Sequence, residues 1–135
     1  MTFVPFLKLY GASALVLFLI DLVWLGVVAK DFYHRHLGTL IRPDVRWAPA
    51  ALFYLLYVAA LIVFVVQPAL ERQSLMRAVA LGAFFGLTAY ATYDLTSLAL
   101  IRDFPTLVAV VDIAWGTFLT ALVAGAGYGV GRLLA

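Results

Sequence analysis

The chain has 135 residues, of which 66% are hydrophobic and 12% charged, and its mean hydropathy is +1.08. A soluble globular protein averages about 45 to 50% apolar and about 25% charged residues, so a water-soluble core is excluded and one polytopic membrane domain is expected. The formal net charge of +2 comes from nine Lys and Arg residues at or near the ends of apolar segments, a snorkelling and topology pattern with no nucleic-acid footprint.

The apolar stretch over 9–29 contains Asp21 and lacks a small-x-small pattern before Lys30. It also exceeds the roughly 7 to 15 residues of a signal-peptide core, so a retained helix is expected. That first helix covers about 5–29, and about 20 apolar residues suffice to cross a bilayer core near 30 Å. The connection over 31–46 is the most polar part of the chain, with His34, Arg35, His36, Arg42, Asp44 and Arg46 interleaved with Phe32, Tyr33, Leu37, Leu40 and Ile41. Such interleaving predicts a short interfacial helix. A second helix over about 48–66 follows, with Trp47 as an interfacial anchor and Pro49 in its first turn. A turn over 67–74 leads to a third helix over about 75–101, and a fourth covers about 107–134. The fold expected is an all-α polytopic transmembrane four-helix bundle, up-down-up-down, with both termini on one side, here side A. Basic residues are nearly balanced between side A and the opposite side B, so the positive-inside rule leaves orientation open.

Carboxylates inside these spans are the chemical anomaly. Asp21, Asp94 and Asp112 each lie in an apolar run, and an aspartate at the centre of a membrane helix costs roughly 2.5 to 3.5 kcal/mol on insertion scales. Counting inward from Lys30, Arg102, Asp103 and Arg46 at a rise of 1.5 Å per residue places Asp21, Asp94, Asp112 and Tyr54 about 12 to 14 Å below side B, one polar group from every helix. Tyr57, Tyr90, Ser97, Trp24 and Trp115 stand three or four residues from these positions, hence on the same helix faces. The first and fourth helices both carry Asp-x-x-Trp and run antiparallel, which resembles an inverted repeat of the kind some transporters use, although two shared residues also arise by coincidence.

Toward side A the chemistry changes to small residues. Gly82 and Gly86, and Gly125, Gly127, Gly129 and Gly131, form small-xxx-small pairs that let helix backbones approach closely. They serve packing within the bundle or, through Gly82, Gly86, Gly125 and Gly129, a homo-oligomer. Tight packing there predicts a bundle that splays toward side B, with the carboxylates lining a cavity open to that side.

One reading of the aspartates is structural, as hydrogen-bonded glue between helices, but such bonds average only about 0.6 kcal/mol in membranes. The functional reading is a ligand site. Three carboxylates in one layer cannot all be ionised without a counter-charge, no Lys or Arg lies at that depth, and protons or a cation must therefore neutralise some of them. His34 and His36 are too few for a metal site. Tyr10, Tyr33, Trp47 and Tyr128 read as interface anchors. No nucleophile elbow or phosphate loop is present, and the sequence leaves any cofactor open.

The stretches Ile20-Asp21-Leu22-Val23-Trp24-Leu25-Gly26, Phe53-Tyr54-Leu55-Leu56-Tyr57-Val58, Ala89-Tyr90-Ala91-Thr92-Tyr93-Asp94-Leu95-Thr96 and Val111-Asp112-Ile113-Ala114-Trp115-Gly116-Thr117 together resemble a family of bacterial predicted membrane proteins of about this length, catalogued as a domain of unknown function. The resemblance implies a multi-pass protein of the bacterial inner membrane with four helices, and it implies no activity. The expected function is binding of a proton, cation or small polar ligand by Asp21, Asp94, Asp112, Tyr54, Tyr57, Tyr90, Trp24 and Trp115, in transport or sensing. The alternatives are a membrane-embedded enzyme acting on a lipid or isoprenoid head group, and an accessory subunit of a membrane complex.

Overall fold

The computed structural model describes residues 3–29, 31–41, 44 and 46–134, with only the backbone of Phe3. Helix α1 (Phe3–Val23) runs on into a π-helical turn, Trp24–Val28. The connection that follows contains a short helix, α2 (Phe32–Leu37), and a 3-10 turn over Gly38–Leu40, as the alternation of basic and aromatic residues predicts. Helix α3 (Trp47–Glu71) contains a π-helical turn at Ile62–Val66. Helices α4 (Leu75–Leu100) and α5 (Thr106–Leu134) complete the bundle. The four stretches Val4–Val28, Trp47–Glu71, Leu75–Leu100 and Thr106–Leu134 are long and apolar enough to span a membrane. The protein is an all-α, multi-pass bundle.

Helix α3 continues through Pro68 to Glu71, past the end expected at Val66. Proline inside a helix lacks an N–H and collides with the carbonyl four residues earlier. The π-helical turn immediately before it, in which the Gln67 N–H bonds to the Ile62 oxygen, widens the helix there and absorbs both problems. The chain then reverses through Gln73, whose φ is +50°. The Ser74 N–H closes α3 on the Ala69 oxygen at 3.1 Å, and the Ser74 hydroxyl caps α4 by accepting the Arg77 N–H at 3.0 Å.

One core joins α1, α3 and α5 through Leu9, Leu17, Leu61, Ile62, Val66, Leu119 and Val123, all essentially inaccessible. The closest approach of backbones is between α4 and α5. A Cβ built on Gly82 would lie 2.6 Å from that of Ala124, and one on Gly86 would lie 2.4 Å from the Gly116 oxygen. These two glycines are therefore spent on contacts inside the chain. Gly127 abuts Ser13 and Val66, Gly131 abuts Leu70, Gly125 makes ordinary contact with Val79, and Gly129 faces open space. At the other end, Phe32, Tyr33 and Leu37 of the α2 helix pack on Phe104, Val108 and Ala109, so α2 folds back onto the side B mouth of the bundle.

Candidate functional site

The tight α4–α5 contact sets an antiparallel register. Gly82 meets Ala124, Gly86 meets Thr120, and the Tyr90 ring lies on Gly116, where a Cβ would come within 2.1 Å of Tyr90 Cγ. One further turn along, the same register brings Asp94 to Asp112, whose carboxyl groups reach each other. Asp94 is 0% exposed, and neither of its carboxyl oxygens accepts a hydrogen bond from any donor among the described residues.

The other two aspartates are better served. Asp21, the last polar group of α1 before the π-helical turn, is buried and accepts from two donors: the Tyr54 hydroxyl of α3, and the Trp115 indole N–H of α5 at 3.2 Å. Asp112 accepts from the Tyr33 hydroxyl at 2.9 Å, and that hydroxyl in turn accepts the Trp24 indole N–H at 3.0 Å. The two Asp-x-x-Trp segments are thus cross-wired. Trp115 serves Asp21 directly, and Trp24 serves Asp112 through Tyr33. Their indoles stack with centroids 4.3 Å apart and planes 9° from parallel, which locks α1 to α5 at this level.

Tyr33 lies on α2, outside the spans. Burial, followed by the neighbouring Asp112 charge, pushes its hydroxyl well above the ordinary tyrosine range. It stays a proton donor to Asp112 under all physiological conditions.

These side chains border an open cavity of about 210 Å³ lined by Asp21, Asp112, Trp24, Trp115, Tyr33 and Tyr90, with Leu25 beside them. A second cavity, about 360 Å³, adjoins it on the α3–α4 side and shares Tyr90 and Asp112, with Phe53, Ala89 and Tyr93 as its other walls. A third, about 470 Å³ and apolar, lies against Leu19, Ile20, Val23 and Val28 and shares Trp24 and Trp115 with the first. No Lys or Arg occurs in 9–29, 48–71, 78–101 or 103–131, so no basic side chain is available within the spans to neutralise the cluster.

A family model described as "Predicted membrane protein (DUF2177)" matches residues 6–129. The chain belongs to this family. No curated protein and no solved structure matches it. The DUF2177 region contains every member of the cluster, from Asp21 to Trp115.

In this DUF2177 protein, six of the residues expected at the site come together: Asp21, Tyr54, Trp24 and Trp115 through direct contacts, Asp112 through Tyr33, and Tyr90 as a shared cavity wall. Asp94 joins through Asp112 but lies behind the cavity wall. Tyr57 points away: its hydroxyl pairs with the Thr120 hydroxyl at 2.6 Å, inside the core, because one helical turn separates it from Tyr54 and rotates it toward the α4–α5 seam. Tyr33 corrects the expectation of a plain interface anchor, since it connects Trp24 to Asp112. The only local signal for this is its place among the aromatics of the 31–46 connection. Its partner on α5 lies 79 positions away in sequence. Of the histidines, His34 is exposed and His36 Nδ1 pairs with the Phe32 oxygen at 2.9 Å. Among the described residues no group of three or more His, Cys, Asp or Glu could hold a metal ion.

Proposed function

We propose that this protein binds and releases a proton at the Asp94–Asp112 carboxyl pair, and that the exchange drives transport or sensing across the bacterial inner membrane. The observation that carries this reading is Asp94, fully buried, with no donor for either oxygen among the described residues other than the carboxyl of Asp112 that faces it. Two facing carboxyls are stable with a proton shared between them or a cation at hand, and they titrate as a unit. Helix glue would instead give Asp94 a donor, as Asp21 has. Asp112 also borders two adjoining cavities, so the pair can be reached through either.

The test is thermal unfolding across a pH and cation series. Wild-type protein should show a midpoint that responds to pH, and Asp94→Asn should flatten that response. Identical profiles for the two proteins would count against the proposal.

A second reading is favoured by the apolar groove that shares Trp24 and Trp115 with the carboxyl cavity. A lipid or isoprenoid chain in that groove would bring its head group to Asp21 and Asp112, where an aspartate could act as general acid or base. Lipid products seen by mass spectrometry, and lost in Asp112→Asn, would favour it.

A further inference from the structure

We infer that the cavity bounded by Asp21, Asp112, Trp24, Trp115, Tyr33 and Tyr90 takes an organic ammonium ion carrying an apolar substituent. This rests on reading Asp112 as a member of an exchangeable carboxyl pair, and it names the ligand with which the proton would exchange.

The sign of the charge comes first. Two carboxyl groups line the cavity, a third, fully buried and without a donor among the described residues, stands against Asp112, and no basic side chain among the described residues contributes to the walls. An anion is therefore repelled and a cation attracted.

The kind of cation follows from the remaining walls. A hard metal ion such as calcium needs about six to eight oxygen ligands, whereas four of the six groups named are aromatic rings. Rings of this kind attract ammonium groups through their π faces, the arrangement that recognises alkylated ammonium ligands in general. The volume of about 210 Å³ is far larger than a bare metal ion and is of the size of a small organic head group. The carboxyls supply charge and the rings supply an aromatic wall.

The substituent follows from the adjoining groove. Trp24 and Trp115 are common to the polar cavity and to the apolar one of about 470 Å³, whose other walls are aliphatic. A ligand with its ammonium beside Asp112 can extend an apolar group past the stacked indoles into that groove, and one that arrives from water gains roughly 25 cal/mol for each Å² removed from water. A dissolved hydrophobic amine and an aminophospholipid both supply this ammonium, and their chemistry at the site is the same. With Asp112 anionic toward the ammonium, the proton of the pair resides on Asp94, so protonating both carboxyls competes with the cation.

The experiment uses the intrinsic fluorescence of Trp24 and Trp115 in the full chain carrying Trp47→Phe, reconstituted in phosphatidylglycerol nanodiscs and titrated with benzyltrimethylammonium. A saturable fluorescence change is expected, weaker at lower pH and weaker by about tenfold or more in Asp112→Asn. The neutral isostere neopentylbenzene, measured on the same protein, should give no saturable change. A response to the neutral compound equal to that for the cation, or no saturable response to the cation, overturns the inference even where Asp112→Asn fails to fold. Repeating the titration with phosphatidylethanolamine in the disc separates the sources: a lowered apparent affinity assigns the site to the lipid head group, and an unchanged one to the dissolved amine. If the probe fails to bind while the pH response of the thermal midpoint persists and is still flattened by Asp94→Asn, the ammonium inference falls and the proton reading stands.

Discussion

Replacing Gly86 by alanine tests the register on which the carboxyl pair depends. The new Cβ would lie 2.4 Å from the Gly116 oxygen and 2.6 Å from both Cβ and Oγ1 of Thr120, where ordinary contact is about 3.5 to 4.0 Å. The first clash is with backbone, which cannot rotate away. The second is with a hydroxyl already held by Tyr57 at 2.6 Å. Helix α4 must therefore back away from α5 by about 1 Å, and overpacking of this kind typically costs about 1 to 3 kcal/mol. Gly129→Ala is the internal control, since its Cβ meets nothing among the described residues within 4 Å, and relief of helical glycine entropy should stabilise it by roughly 0.5 to 1 kcal/mol. Unfolding in detergent, followed by circular dichroism, should thus separate the two variants by about 1.5 to 4 kcal/mol in opposite directions from wild type. Asp94 lies about two turns along from Gly86 on the same face, so the variant should also weaken the pH response attributed to the pair. Equal stabilities for the two variants would refute the α4–α5 register, and with it the approach of Asp94 to Asp112.

Tyr33→Phe removes the group that accepts from Trp24 and donates to Asp112, and should destabilise the protein by about 1 to 3 kcal/mol in chemical denaturation, the usual effect of stranding buried polar groups. The folded-state value of this hydroxyl is raised above the ordinary 10.0, so its contribution is complete below that pH and is lost as pH rises through the folded value. Tyr33→Phe should accordingly show a shallower alkaline loss of stability than wild type. Asp94→Asn keeps the shape of the side chain, and its amide N–H can donate to Asp112. The variant should unfold no earlier than wild type at neutral pH, whereas a loss of about 1 kcal/mol or more would show that Asp94 is structural glue.

The spans were legible because lipid demands uniform apolarity over a fixed length, and the depth of the aspartates followed from a constant helical rise. The depth count placed Asp21, Asp94, Asp112 and Tyr54 in one layer, and within it Asp21 meets Tyr54 and Asp94 meets Asp112. It could not say which donor serves which acceptor. That Trp115 crosses to Asp21, and that Trp24 reaches Asp112 only through Tyr33, depends on helix rotation and on α2 folding back over the mouth. The three-residue spacing that puts Tyr57 on the same helix face as Tyr54 was also too coarse, because the turn between them directs Tyr57 to Thr120. Gly116 was overlooked for a different reason: small-xxx-small patterns reveal helix-to-helix contacts, whereas Gly116 makes room for the ring of Tyr90. The end of α3 was misplaced because Pro68 normally marks a boundary, and a π-helical turn that rescues it leaves no obvious trace in an apolar run.

The central claim is that Asp94 and Asp112 share a proton within the bundle. Infrared difference spectroscopy in nanodiscs, titrated over pH, reads the C=O stretch of a protonated carboxyl directly. A band should be present in wild type at neutral pH, and Asp94→Asn and Asp112→Asn should each remove or shift it, because each breaks the same pair. A wild-type spectrum without that band, or one that both substitutions leave unchanged, would contradict the account.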